Sequence, residues 1–63
     1  MEMEQYDMEI SEAKIMKSAA GYYIGAEYRD TEETGGNWFP YTRYSGYFKT
    51  YEIAEKWLPV YRE

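Results

Sequence analysis

The spacing of apolar residues changes most sharply between positions 44 and 58, YSGYFKTYEIAEKWL. Tyr47 and Phe48 are aromatic strand formers, whereas Ile53, Ala54, Trp57 and Leu58 recur at i, i+1, i+4 and i+5, one stripe of a helix. Thr50 stands between the two patterns, where its hydroxyl can accept from the free N–H groups of a helix starting at Tyr51. Glu52 suits the positive end of that helix's dipole. Pro59 disfavours helical geometry in the residue before it, so the pattern predicts a helix that ends at Leu58. On this stripe Trp57 is expected in the core.

Upstream, residues 21–30 (GYYIGAEYRD) alternate with period 2, placing Tyr22, Ile24, Ala26 and Tyr28 on a core-facing side. Tyr23, Gly25, Glu27 and Arg29 fall on the other side, where the missing side chain of Gly25 would admit a bulge or a close neighbour. Residues 30–37 (DTEETGGN) predict an exposed, mobile hairpin loop, with Gly35, Gly36 and Asn37 supplying positive φ angles. Residues 38–43 (WFPYTR) form the return strand, and Pro40, which cannot donate to a ladder, belongs on an edge or with its nitrogen toward solvent. Tyr44, Ser45 and Gly46 turn the chain into the corner.

The N-terminal third is ambiguous. Tyr6, Met8 and Ile10 alternate with acids as a short edge strand would, while the acids themselves fit a flexible tail over residues 1–10. Residues 11–20 (SEAKIMKSAA) read as a short helix with Ser11 as N-cap and Gly21 as C-terminal cap. A strand over residues 14–17 competes with it. The expected class is α+β: one domain over residues 1–63, a three-stranded antiparallel sheet with a C-terminal helix on one face, and a short N-terminal helix.

Composition narrows the chemistry. A chain of 63 residues buries only about 60% of the surface its unfolded form exposes. With no Cys and no His, neither a disulfide framework nor the usual structural zinc site can staple it. Aromatic residues make up 21% of the chain, nine of them Tyr, and must supply the apolar area. A homodimer sharing one core is a second route to stability. The formal charge of −5 argues against generic nucleic-acid binding, which needs clustered Lys and Arg. No apolar run approaches a membrane span, and the acidic N-terminus is unlike a secretory signal, so the chain reads as soluble and cytoplasmic.

The absence of Cys and His also removes the familiar nucleophile and base pairs. Glu32 and Glu33, the paired carboxylates that could act as acid and base, lie in a Gly-rich loop where nothing would desolvate one of them. A metal site from Asp30, Glu32 and Glu33 would lack the ligand spacing of an EF-hand loop, and Gly35-Gly36 is too short to cradle phosphate. The expectation is no enzyme, no cofactor and no metal.

Phe48, Lys49, Thr50, Ala54, Trp57 and Leu58 make the segment FKTYEIAEKWL, which resembles the strand-to-helix corner of the arm-site DNA-binding domain at the N-terminus of phage-type tyrosine integrases. The resemblance covers about eleven residues and implies a three-stranded sheet plus one helix. It does not extend to DNA binding: that family lays a basic sheet face on DNA, and only Arg29, Arg43 and Lys49 could serve here.

Charge is segregated, with −5 over residues 1–12 and −3 over residues 30–33. Two concentrated acidic patches could occupy a basic groove that normally holds phosphates, with Tyr rings as anchors. The function expected is therefore a small acidic protein-binding module, of the type phages encode to inhibit host nucleic-acid machinery, anti-CRISPR proteins being the best-known class. Its partner-binding candidates are Asp30, Glu32, Glu33, Tyr23, Glu27, Tyr41 and Arg43. The competing reading is a nucleic-acid-binding sheet that stacks bases on Tyr23 and Tyr41 with Arg43 and Lys49 as cations.

Overall fold

The computed structural model describes residues 8–62, and the expectations for residues 1–7 lie outside them. Among these residues four strands, β1 (Glu9–Ile10), β2 (Lys14–Ser18), β3 (Gly21–Arg29) and β4 (Phe39–Arg43), form one antiparallel sheet, followed by the helix α1 (Tyr51–Tyr61). The class is α+β with a C-terminal helix. The expected count of three strands is corrected to four.

The extra strand does not add a fourth rank. Tyr28 lies opposite both Ile10 and Phe39, and Gly25 opposite both Lys14 and Arg43. A strand has only two edges, so β1 and β2 run end to end along one edge of β3 and β4 lies along the other. The short N-terminal helix is also corrected, because residues 14–18 are strand. Ile15 is β-branched, a ten-residue helix is marginal alone, and pairing with β3 satisfies the same backbone in a ladder.

Each outer rank is broken, and a serine repairs each break. Between Ile10 and Lys14 the outer rank holds one residue more than β3 does between Tyr28 and Gly25. There the Ser11 N–H donates to the Glu27 carbonyl at 2.9 Å, and the Ser11 Oγ accepts from the Glu27 N–H at 2.9 Å. Ser11 is thus a stand-in for a ladder carbonyl rather than a helix cap. On the opposite edge, past Arg43, the buried Ser45 Oγ accepts from the Ile24 N–H at 2.9 Å, while the Ile24 carbonyl accepts from the N–H groups of Tyr44 and Ser45. Farther along, Phe48 makes a single bridge to Tyr22 where a short strand was expected.

The corner into the helix forms as its sequence predicts. Thr50 is extended, its Oγ1 accepts from the Ile53 N–H at 3.2 Å, and Glu52 sits in the first turn. The expected stop at Leu58 is corrected, since the helix runs through Pro59 to Tyr61. In the last turn a proline forfeits one backbone bond, and the Arg62 N–H closes the end on the Pro59 carbonyl at 3.2 Å.

The core is built from small residues. Ile24, Ala26 and Ala54 have no exposed surface, and Ala13 is buried beside them. The expected core side of β3 therefore holds at its centre, while Tyr22 and Tyr28 are half-buried at its margins; the Tyr22 ring stands edge-on to Tyr51 at 5.9 Å. Trp57 is not a core residue, being 49% exposed. Ala54 lets the helix approach β3 closely, and Ala54 and Leu58 mark its buried line, about 50° round the helix from the centre of the four-residue stripe. Gly25 meets the expectation of a close neighbour, because a Cβ there would stand 2.3 Å from the Thr42 carbonyl oxygen and 3.3 Å from the Arg43 Cα. The register between β3 and β4 shifts at the next step, between Ala26 and Glu27.

Candidate functional site

The seven candidate residues do not converge on one surface. Alternation along β3 puts Tyr23, Gly25 and Glu27 on the face away from the helix, and Arg43, opposite Gly25, shares it. There the Tyr23 ring meets Tyr47 edge-on at 5.7 Å, and the Arg43 guanidinium lies 4.7 Å above the same Tyr47 ring while donating to the Ser45 carbonyl at 2.8 Å. Glu27 binds Lys14 at 2.7 Å. Tyr41 is elsewhere: its exposed ring lies 5.9 Å from that of Tyr28, a residue of the helix-side face.

Of the acidic loop only the tip is free. Asp30 Oδ1 accepts from the N–H groups of Glu33 at 2.6 Å and Thr34 at 3.2 Å, which makes Asp30 the internal brace of the turn. Thr34 is buried, its Oγ1 donating to the Asp30 carbonyl at 2.9 Å and accepting from the Asp30 N–H at 3.0 Å. The Gly36 N–H returns to the Asp30 carbonyl at 2.9 Å, and Gly35 and Gly36 take the positive φ angles expected of them, whereas Asn37, expected to do the same, does not. The loop is thus a hydrogen-bonded turn, exposed as expected over residues 31–37 except at the buried Thr34. Glu32 and Glu33 are exposed and make no ion pair among the described residues.

The N-terminal acids are similarly engaged where they are described. Glu9 pairs with Arg29, whose guanidinium also lies 4.6 Å above the Trp38 ring, and Glu12 pairs with Arg62 at 3.4 Å. Two of the eight segregated acids, Glu9 and Glu12, are therefore paired within the chain. Among the described residues no group of three acids stands close enough to hold a metal ion. An open depression at the end of α1 is lined by Ser11, Ala13, Tyr44, Tyr61 and the Glu12–Arg62 pair.

Sequence reasoning expected surplus rings as anchors but, Tyr41 apart, did not name those that remain outside. Trp38, Phe39, Tyr44 and Tyr47 are exposed, and Ile53, Trp57 and Val60 form an uncovered stripe at i, i+4 and i+7 along α1. The signal was the aromatic content itself, which exceeds what a core of one Ile and three Ala can use. Comparison with protein-family models, with curated proteins and with solved structures finds no match to this chain.

Proposed function

We propose that this chain is a protein-binding module that engages its partner chiefly through exposed aromatic side chains, with Glu32 and Glu33 as an acidic flank. One observation carries the reading: the apolar core closes on Ile24, Ala13, Ala26 and Ala54, while Trp38, Tyr41 and Trp57 stay at least 40% exposed. Large rings left half in water are favoured anchors at protein interfaces, because they bring much area at low cost in side-chain freedom. The narrower form, an acidic inhibitor of nucleic-acid machinery of the kind phages encode, draws support from the free loop tip alone. A second reading, a nucleic-acid-binding sheet face, is favoured by the stacking of Arg29 on Trp38 and Arg43 on Tyr47. Ion pairs from Glu9 to Arg29 and from Glu27 to Lys14 weaken it, since they occupy cations that phosphate would need.

The test is affinity capture with the parent, Tyr41→Ala and Trp57→Ala, with titration of the captured protein at two salt concentrations. A partner held by the parent and lost by either ring variant supports the module. Equal capture by all three, or tight binding of single-stranded DNA by the parent, overturns it.

A further inference from the structure

The two outer ranks of the sheet leave different backbone groups unused. On β3 the Tyr22 N–H donates to the Phe48 carbonyl at 2.9 Å and the Phe48 N–H returns to Tyr22 at 2.6 Å, while the Ile24 carbonyl accepts from Tyr44 at 2.8 Å. Tyr22 and Ile24 therefore point away from β2. In an antiparallel ladder, opposed residues either both face each other or both face away. Lys17, opposite Tyr22, and Ile15, opposite Ile24, consequently turn their N–H and C=O groups to the outside. The row is closed at one end, where the Ala13 carbonyl accepts from Arg62 Nε at 2.8 Å, and at the other by the turn after Ser18. Among the described residues, two donors and two acceptors remain open.

The opposite edge is blunted. The Glu27 backbone is engaged by Ser11, so Pro40, opposite Glu27 on the other side, directs its ring nitrogen outward and offers no donor there. The register shift beside it bends the rank further, and proline and bulges are devices that keep an edge from pairing. β2 has neither.

We infer that the open edge of β2 pairs with the same edge of a second copy of this chain, across a two-fold axis through Met16. In that register Ile15 of one copy lies opposite Lys17 of the other, Met16 opposite Met16, and Lys14 opposite Ser18. All four open groups of each copy are then satisfied at once, and the two sheets become one. The charge pattern permits this register, because no Lys stands directly opposite a Lys. Lys14 is already neutralised by Glu27 at 2.7 Å, and Lys17 lies 5.5 Å from the centre of its own Tyr22 ring. Ile15 and Met16, half-buried in one chain, gain a covering neighbour. The inference uses the sheet edge and not the rings, so it stands apart from the partner-binding reading.

Sedimentation equilibrium and residue-resolved amide exchange, at micromolar and millimolar concentration, test it. The parent dimerises as concentration rises, more readily at high salt because two chains of formal charge −5 repel less when screened. The amides of Ile15 and Lys17 then slow in step with dimer formation, whereas Met16, which faces β3, is protected throughout. Of the backbone hydrogen-bonding groups, Lys17→Pro removes only an outward N–H, and it gives a monomer with the parent's circular dichroism. As an independent readout, Met16→Cys introduces the only thiol in the chain, and mild oxidation links two copies at that site in high yield, while Tyr47→Cys, beyond the opposite edge of β3, does not. A parent that is monomeric at millimolar concentration overturns the proposal. So does a dimer in which the Ile15 and Lys17 amides still exchange rapidly.

Discussion

The seam that β3 forms with β4 and α1 and the perimeter around it are made of opposite materials. At the seam stand Ile24, Gly25, Ala26, Ser45 and Ala54, where backbones approach closely and little side-chain volume is enclosed. Around it stand Trp38, Phe39, Tyr41, Tyr44, Tyr47 and Trp57, each with much of its surface in water. In most small domains the large side chains fill the core. Here the fold is held by close backbone contact and two serine hydroxyls, and the large side chains are left for contacts outside the chain. A change at the seam should therefore act on stability, and a change at the perimeter on association.

The largest effect is expected at Gly25. A methyl group added there would sit 2.3 Å from the Thr42 carbonyl oxygen, which is backbone and can yield only if β4 moves. Gly25→Ala should lose about 3 kcal/mol, the upper end of overpacking costs, from the roughly 3–9 kcal/mol that a chain of this length has. Urea denaturation measures it; a midpoint equal to the parent's would mean that β4 does not close on β3 as described.

Ser45 tests the seam without adding volume. Ser45→Ala leaves the N–H of Ile24, a residue with no exposed surface, without its acceptor. An unsatisfied buried donor costs about 1–3 kcal/mol, and the exchange of that one amide should quicken relative to its neighbours on β3. Ser11→Ala should be milder, because Ser11 is only half-buried and water can reach the Glu27 N–H.

These two serines also mark the limit of what the sequence discloses. The alternation of residues 21–30, the glycine pair of the loop and the Thr50 cap are local patterns, and each element formed where its pattern lay. A serine that replaces a ladder carbonyl is defined by the register of a strand 16 or 21 residues away, and no local signal announces it. Trp57 was misplaced for a related reason. A stripe on a helical wheel fixes the apolar side only to within a residue or so, and Ala54, small enough to touch the sheet, decided the orientation. At the candidate site, the spacing of Asp30 and Thr34 in DTEET could have been read as a side-chain-braced turn, since both residue types bond nearby backbone.

Trp57 marks the crossing from seam to perimeter. With about half its surface already in water, Trp57→Ala should cost roughly 1 kcal/mol, far below the 3–5 kcal/mol of a fully buried ring. The denaturation midpoint should move little while partner capture falls. A loss of 3 kcal/mol or more would return Trp57 to the core and remove it from the proposed binding surface.

The smallest effect on stability belongs to the loop tip. Asp30 must be left in place, because its carboxylate accepts two backbone N–H groups and its loss would open the turn. Among the described residues Glu32 and Glu33 brace nothing with their side chains, and replacing both by Lys should shift stability by no more than about 0.5 kcal/mol, as exposed substitutions do. Each reversal adds two units, so the formal charge moves from −5 to −1. If the tip contributes to a basic partner, affinity should fall and its dependence on salt should flatten, since exposed charges act over about 8 Å at physiological ionic strength. If the rings alone bind, affinity should stay put in this variant and fall in Tyr41→Ala. Titrating one captured partner with both variants at two salt concentrations separates an acidic inhibitor from an aromatic docking module, and neither variant disturbs the seam that keeps the chain folded.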